Sequence, residues 1–397
     1  MRPSLAQRSS VVTVVNAVLE TARELGPSIA ARSDEIEAAG TLPRDLVDLI
    51  SPSGAFRQYV PTDLGGPGVT AWESLEATEE FAYHDGAVGW CVAIGSTTSL
   101  MSSWLVDPWA KDLFGDAASI GGGFAAANGR ATVVDGGLRV SGQWQWGSGT
   151  KHCTTIGGGA LIVDADGKPA PRDDGLVAPF VFFDTDDVEF VETWDVVGLA
   201  GTGSVDYRVT DAFVPEGRWV QLGHSAVVRD NELSRFSFYG MLASGVASAA
   251  VGMARRSIDE LVVLAATKKP QGSRRPLAER SPIQADVAIA EAQLEAAWLL
   301  LRDATEDAWS SAEAGDRAST DQRRRIRAAA THATQTAADV AERMYRAAGG
   351  AAVYKTSPIQ RCFRDVNVAT QHAMVAPRMF ETIGRMRLGL DTNTAML

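Results

Sequence analysis

The apolar positions fall into three blocks. In the first, Val11, Val14, Val15, Val18, Leu19, Ala22, Leu25 and Ile29 recur at steps of three and four, one stripe of a helix that ends near Gly26-Pro27 or continues past a kink. Leu42–Ile50 reads as a shorter helix with Pro43 in its first turn. The stretch 51–68 is loop by composition, and Trp72–Tyr83 and Ala87–Leu105 return to helical spacing. The last of these carries Gly95, Ser96, Thr97, Thr98 and Ser99. Such small residues serve close helix–helix contact or leave space for a ligand, with Ser96 on the pocket wall.

From Ser119 to about Gly217 the period shortens. Ala131–Val134, Leu138–Val140, Ala160–Val163, Val177–Phe183, Val188–Val191 and Val205–Val214 are short β-prone runs, and Asp135-Gly136-Gly137 is a hairpin signal. From Phe236 onward helix returns. Tyr239–Ala266 is long and rich in Ala and Gly; Ile283 to Leu301, Ile326 to Met344 and Val366–Leu388 mark three more helices. Four long helices predict an antiparallel bundle. The chain therefore reads as mostly α with a central β domain: helical over 1–118, a β-barrel or sandwich over 119–218, and a four-helix bundle over 236–397.

Composition narrows the function. At 397 residues, 45% apolar and 22% charged, the chain fits a soluble globular protein, and a net charge of −12 disfavours nucleic acid as a partner. Cys91, Cys153 and Cys362 are far apart and form no CxxC, which points to a reducing compartment with neither a disulfide framework nor structural zinc. No run is long enough to span a membrane, and MRPSLAQRSS lacks a signal-peptide core. The expected location is cytoplasmic.

The candidate chemistry centres on Gly142–Ile162. Simple strand alternation puts Trp144 and Trp146 on one face, just before a Gly147-Ser148-Gly149 turn. A ring wall beside a turn whose backbone can be approached closely suits a large planar ligand; two core tryptophans in a hairpin is the other reading. The runs Gly121–Gly123 and Gly157–Gly159 lack the strand–GxGxxG–helix setting of a phosphate loop.

One longer match gives this a direction. The segment Trp194–Arg218, WDVVGLAGTGSVDYRVTDAFVPEGR, resembles a segment of the acyl-CoA dehydrogenase superfamily through Gly198, Gly201, Thr202, Gly203, Ser204, Val214 and Pro215. Gly142 and Trp146 then resemble the glycine and flavin-facing tryptophan of that superfamily's middle domain. Ser148 falls where it places a hydroxyl on the flavin, beside Gly149, and Arg364-Asp365 after Gly349-Gly350 matches its Arg-Asp. The resemblance covers nearly the whole chain and implies that fold, with bound FAD or FMN and a homotetramer.

The departures matter as much. Acyl thioester oxidation needs a carboxylate base. The two places where the superfamily keeps it read Ala369-Thr370-Gln371-His372-Ala373 and Phe236–Met241 here, with no acid in either. The loop after the first bundle helix has Lys268-Lys269-Pro270 and Arg274-Arg275 in place of the usual Arg with Phe-Gly. These cations suit a flavin phosphate, especially a neighbouring subunit's, or form a solvated loop.

A better resemblance is to the two-component flavin-dependent monooxygenases, including those that hydroxylate a phenolic steroid-degradation intermediate. It rests on Trp144, Ser148, Gly149 and His152, and on Arg364, Asp365, Gln371 and His372. It implies reduced flavin supplied by a separate reductase, a C4a-hydroperoxide, and oxidation of a small aromatic or heterocyclic substrate. Ser148 and His372 are the implied catalytic pair, with His372 as base or hydrogen-bond donor; Trp144, His152 and Ser96 are the implied substrate wall. The lack of a nicotinamide fingerprint fits a reductase partner. Two alternatives stay open: a dehydrogenase or oxidase whose base has moved, for instance to Glu232 or Glu381, and an inactive flavin-binding subunit.

Overall fold

A computed structural model describes residues 16–397; Val11, Val14 and Val15 lie outside them. The chain opens with helices α1 (Ala17–Ala31), α2 (Ser33–Ala39), α3 (Arg44–Ile50), α4 (Ala71–His84), α5 (Gly86–Ser99) and α6 (Trp109–Phe114). Asn16 caps α1 by accepting from the Leu19 amide at 3.2 Å, and the helix continues through Pro27. Gly26 leaves room there for the ring of His84 on α4, which a Cβ would approach to 2.1 Å.

The stretch 51–68 is not an exposed loop. Residues 51–53, 55–57 and 62–64 form single 3₁₀ turns, and Ala55, Phe56, Arg57, Gln58, Tyr59 and Val60 are buried. The Arg57 guanidinium makes this possible by donating to the carbonyls of Leu64 (3.0 Å) and Gly65 (2.6 Å) and of Phe114 on α6. Buried turn carbonyls that no ladder satisfies thus find a charged donor.

Seven strands follow: β1 (Gly121–Val134), β2 (Gly137–Gly147), β3 (Thr155–Ile162), β4 (Phe180–Phe183), β5 (Glu189–Val191), β6 (Val205–Pro215) and β7 (Trp219–Val220). They form one sheet in the order β5-β6-β2-β1-β3-β4-β7, with β1 and β3 parallel and the other pairs antiparallel. Asp135-Gly136 is the turn between β1 and β2, and both glycine runs lie in strands, where β1 and β3 pair closely. Trp144 on β2 lies 5.2 Å from the Phe183 ring on β4. Three strand spacings of a flat sheet are roughly 14 Å. The sheet is therefore rolled around a core of Trp144, Tyr207, Phe183 and Val140, as a barrel is, but its pairing ends at β5 and β7 rather than closing.

Helices α7 (Glu232–Arg235), α8 (Phe238–Thr267), α9 (Ser281–Glu313), α10 (Thr320–Ala348), α11 (Pro358–Ala369) and α12 (Met379–Arg387) complete the chain. The small residues of α8 let it pack closely on its neighbours: Gly245 faces Ala93 of α5, and a Cβ on Gly252 would lie 2.2 Å from the Glu79 carbonyl of α4. The expected helix Val366–Leu388 is instead two helices with a break at 370–378. Pro377 has no amide hydrogen to continue the ladder. Met374 and Val375 in the break are buried in the same core as α10, which is why the apolar pattern runs on across it.

Candidate active site

At the end of β2 the pairing slips: Trp144 faces Tyr207, but Gly147 faces Val205, so β2 holds one extra residue. Trp146 takes up the irregularity with φ of +59°. A bulge of this kind breaks the alternation of faces. The two indoles consequently do not share one face. Trp144 is fully buried, stacked on Tyr207 at 5.4 Å, with its N–H donated to the Gly159 carbonyl at 2.8 Å. It is sheet core, not pocket wall. Trp146 is 57% exposed and meets Phe124 edge-on at 5.6 Å.

Ser148 follows directly. Its amide donates to the Trp146 carbonyl at 2.8 Å, and the amide of Gly149, which has φ of +71°, donates to the Thr202 carbonyl at 2.8 Å. The turn is thereby pinned to the loop between β5 and β6. The Ser148 hydroxyl accepts from the Trp90 indole of α5 at 3.0 Å and lies 2.7 Å from the Ser204 hydroxyl. On its other side Trp90 meets the His372 ring edge-on at 5.7 Å. One tryptophan thus joins the expected catalytic pair, Ser148 from the sheet and His372 from the break in the bundle.

His372 is held in one tautomer. Its Nδ1 accepts the Met374 amide hydrogen at 3.3 Å, which puts the ring hydrogen of the neutral form on Nε2. Burial pulls its pKa down to about 4, and the nearby Arg327 guanidinium adds to this. Arg327 is itself buried and donates to the carbonyls of Met374 (2.8 Å) and Met396, fastening the His372 segment to α10.

The other expected residues are spread out. His152 is buried against Phe56 at 5.6 Å with an unpartnered Nδ1, and its pKa falls to about 4 through burial. Ser96 donates to the Ala55 carbonyl at 2.9 Å and accepts from Gln58 at 3.2 Å, tying α5 to the buried turns. Arg364 spends its guanidinium on protein: the Val197 carbonyl (2.6 Å), Glu37 (2.8 Å) and Gln360 (2.6 Å).

Lys268 donates to the Ala348 carbonyl at the end of α10, beside Gly349 and Gly350. Arg274 and Arg275 are exposed on the same loop, with no acidic partner among the described residues. This cluster follows the C-terminus of α8, roughly 20–35 Å along the helix from the stretch between Gly245 and Met253 on which α5 packs. Within one chain the structure does not bring it to Ser148. Two surface hollows, of 520 Å³ beside the β1–β2 turn and 440 Å³ between α6 and β4, contain none of these residues.

Comparison with known proteins agrees with this architecture. The family description Acyl-CoA dehydrogenase, N-terminal domain, matches residues 15–111, and Acyl-CoA dehydrogenase, C-terminal domain, matches residues 244–377. The chain belongs to the acyl-CoA dehydrogenase superfamily. Within it the chain is similar to an indole-3-acetate monooxygenase of Pseudomonas putida, 29% identical over 90% of each chain. It is equally similar, at 29% identity over 96% of this chain and 97% of the other, to the oxygenase subunit HsaA of a flavin-dependent monooxygenase of Mycobacterium tuberculosis. The crystal structure of that HsaA monooxygenase superposes with a TM-score of 0.87 at 26% identity, covering 96% of this chain and 99% of that one. The chain is a flavin-dependent oxidoreductase of this monooxygenase branch.

The superfamily's flavin ring fits what surrounds Ser148. Trp146 offers an exposed ring face. Beside it, the register of β1 against β3 skips from Phe124 to Gly129, and Ala125, Ala126, Ala127 and Asn128 between them are exposed. Ser148 Oγ has two hydrogen-bond neighbours and can take a third. A ring face, a run of exposed small residues and a free hydroxyl valence suit a flat heterocycle with a polar edge.

The superfamily's segment around Gly198–Ser204 proves to be a latch. The Leu199 amide donates to Asp365 at 2.6 Å, Leu199 has φ of +52°, and a Cβ on Gly198 would lie 2.6 Å from the Arg364 backbone. Burial raises the Asp365 pKa to about 7. Sequence reasoning missed Trp90, Thr202 and Ser204 as site residues. The last two stood in the matched segment, and only their contact with Ser148 marks them out. Trp90 gave no signal, being 58 residues from its partner.

Proposed function

We propose that this chain is the oxygenase component of a two-component monooxygenase, a cytoplasmic homotetramer that takes reduced FMN or FAD from a separate reductase and oxygenates a small aromatic or heterocyclic compound. The names of two relatives, an indole-3-acetate monooxygenase and a resorcinol hydroxylase oxygenase component, support the substrate class, and that of the HsaA oxygenase subunit supports the flavin-dependent role. The observation that carries the reading is the bridge Ser148–Trp90–His372, which sets a neutral histidine beside a buried aromatic wall. Among the described residues no carboxylate hydrogen-bonds any of the three, and Glu381 is exposed on α12 while Glu232 sits in the first turn of α7. That arrangement lacks the base a dehydrogenase needs.

Reduced flavin, when bound, supplies the electrons that activate O2. The residues of the chain do the rest. Trp146 and the exposed residues 125–128 of β1 would hold the ring, and Ser148 would be the hydroxyl offered to its N5 side. Trp90, buried between hydroxyl and imidazole, keeps water from the space between them. His372 has Nδ1 occupied and a pKa near 4, so Nε2–H is what it offers. It acts as a hydrogen-bond donor to substrate or oxygen rather than as the base that removes a phenolic proton. The basic loop of Lys268, Arg274 and Arg275, far from Ser148 within one chain, serves the phosphate of a flavin on a neighbouring copy.

Rapid mixing tests the proposal. Protein loaded anaerobically with reduced flavin and mixed with oxygenated buffer is expected to show a long-lived near-UV transient before oxidised flavin appears. Single-phase oxidation, together with bleaching of bound FAD by an acyl-CoA, would overturn it in favour of dehydrogenase chemistry.

A further inference from the structure

Ser148 is one member of a longer chain of hydroxyls. The Trp90 indole donates to Ser148 (3.0 Å), Ser148 and Ser204 are 2.7 Å apart, Ser204 and Thr202 are 2.7 Å apart, and Thr202 donates to the Leu199 carbonyl at 2.8 Å. All four side chains are buried, Thr202 being 1% and Ser204 3% exposed. Each hydroxyl has one hydrogen and two lone pairs, an indole N–H only donates, and a carbonyl only accepts.

Two arrangements satisfy the chain. In the first the hydrogens run from Trp90 through Ser148, Ser204 and Thr202 to Leu199, and Ser148 keeps a free lone pair. In the second Thr202 donates to Ser204 and Ser204 to Ser148, so that Ser148 keeps a free hydrogen. Reversal gives up one bond at the Leu199 carbonyl, which still accepts from the Trp194 indole at 3.1 Å and the Thr202 amide at 3.1 Å. Every hydroxyl keeps at least one partner within the chain in either arrangement, and the two differ by a single hydrogen bond, which a bond from the Ser148 hydrogen to a ligand would offset.

We infer that Thr202 and Ser204 are positioning residues that let Ser148 change its hydrogen-bonding sense with the redox state of the flavin. Resting on the reading that Ser148 meets the flavin N5, the chain offers a lone pair to the N5–H of reduced flavin and a hydrogen to the bare N5 of oxidised flavin. The cofactor then keeps this bond both as it arrives reduced and as it leaves oxidised.

The test is a pair of anaerobic titrations with oxidised and dithionite-reduced FAD and FMN. Thr202→Val removes one hydroxyl with little change of shape, leaving Ser148 as the acceptor for the Ser204 hydrogen and locking Ser148 as an outward donor. Ser204→Ala strips Ser148 of its inward acceptor and acts in the same direction. Each is expected to raise the Kd of reduced flavin roughly 10-fold while that of oxidised flavin moves less than about 2-fold. A 10-fold change in that ratio lowers the two-electron potential of bound flavin by about 30 mV. Thr202→Ser should restore the ratio, which lost packing alone would not do.

Equal weakening of both redox states, or no change in either, overturns the inference. Should the unmodified protein bind neither form of FAD or FMN, the flavoprotein reading fails and takes this one with it. A measurement on the unmodified protein stands apart from whether the variants fold. Flavin labelled with nitrogen-15 at N5 should report a hydrogen bond in both redox states, and its absence from either sinks the inference.

Discussion

At the residue scale the burial of two histidines governs behaviour toward acid. His372 and His152 each have a pKa near 4 in the folded chain, through burial, against about 6.5 when unfolded. Between those values the unfolded chain binds more protons, so their contribution to stability is complete above about pH 6.5 and is lost as pH falls toward 4. His152→Phe should therefore gain on the parent protein by about 2 kcal/mol between pH 7.5 and pH 5 in urea melts. Comparison with the parent at each pH cancels the buried acids, whose pKa values move the other way. His372→Ala belongs here too. It should reduce product formation about 10²-fold or more while flavin binding is unchanged, with reducing equivalents diverted to hydrogen peroxide. Product formation that survives would remove His372 from the chemistry.

At the scale of elements, two joints hold the site together. Asp365 holds the Leu199 amide and with it the loop that carries Thr202 and Ser204. Asp365→Ala leaves that amide buried without an acceptor and should cost about 1–3 kcal/mol of stability, whereas Asp365→Asn, which keeps an acceptor, should cost less. Arg327 holds the carbonyl of Met374 two residues from His372. Arg327→Met should lower turnover roughly 10²-fold with little effect on flavin affinity, because His372 is displaced while Ser148 is not. These joints also mark how far the sequence could be read. Helix positions followed from apolar spacing, since burial of one stripe is a local pattern. The break at 370–378 was hidden because Met374 and Val375 keep the apolar phase, and the separation of Trp144 from Trp146 was hidden because a bulge depends on the partner strand. The relation of Ser148 to His372 was implied by resemblance alone; Trp90, which makes it physical, pairs across segments distant in the sequence.

At the scale of the molecule, the basic loop follows the C-terminus of α8, whereas α5 with Trp90 packs on the stretch between Gly245 and Met253, roughly 20–35 Å back along the helix, and a single chain does not bring the two together. A second copy can. Light scattering should give four times the 42.1 kDa chain mass. Arg274→Ala with Arg275→Ala should weaken FAD binding about 10-fold and leave riboflavin, which has no phosphate, unaffected. Equal loss for both ligands would show the loop to act on the fold instead. The outer faces of the bundle offer a surface for such assembly, with Val263 70% and Leu299 51% exposed. Substituting Asp at both positions is expected to shift the protein to smaller species.

The bulge that turns Trp146 outward also gives the protein a spectroscopic handle. Of its 10 tryptophans only Trp146 is mainly in contact with solvent, the others being wholly or partly enclosed. Its emission should be the red-most, so excitation at the long-wavelength edge selects it with no label attached. Arrival of a ligand on that ring would then be read as loss of the red component alone, in real time and in the unmodified chain.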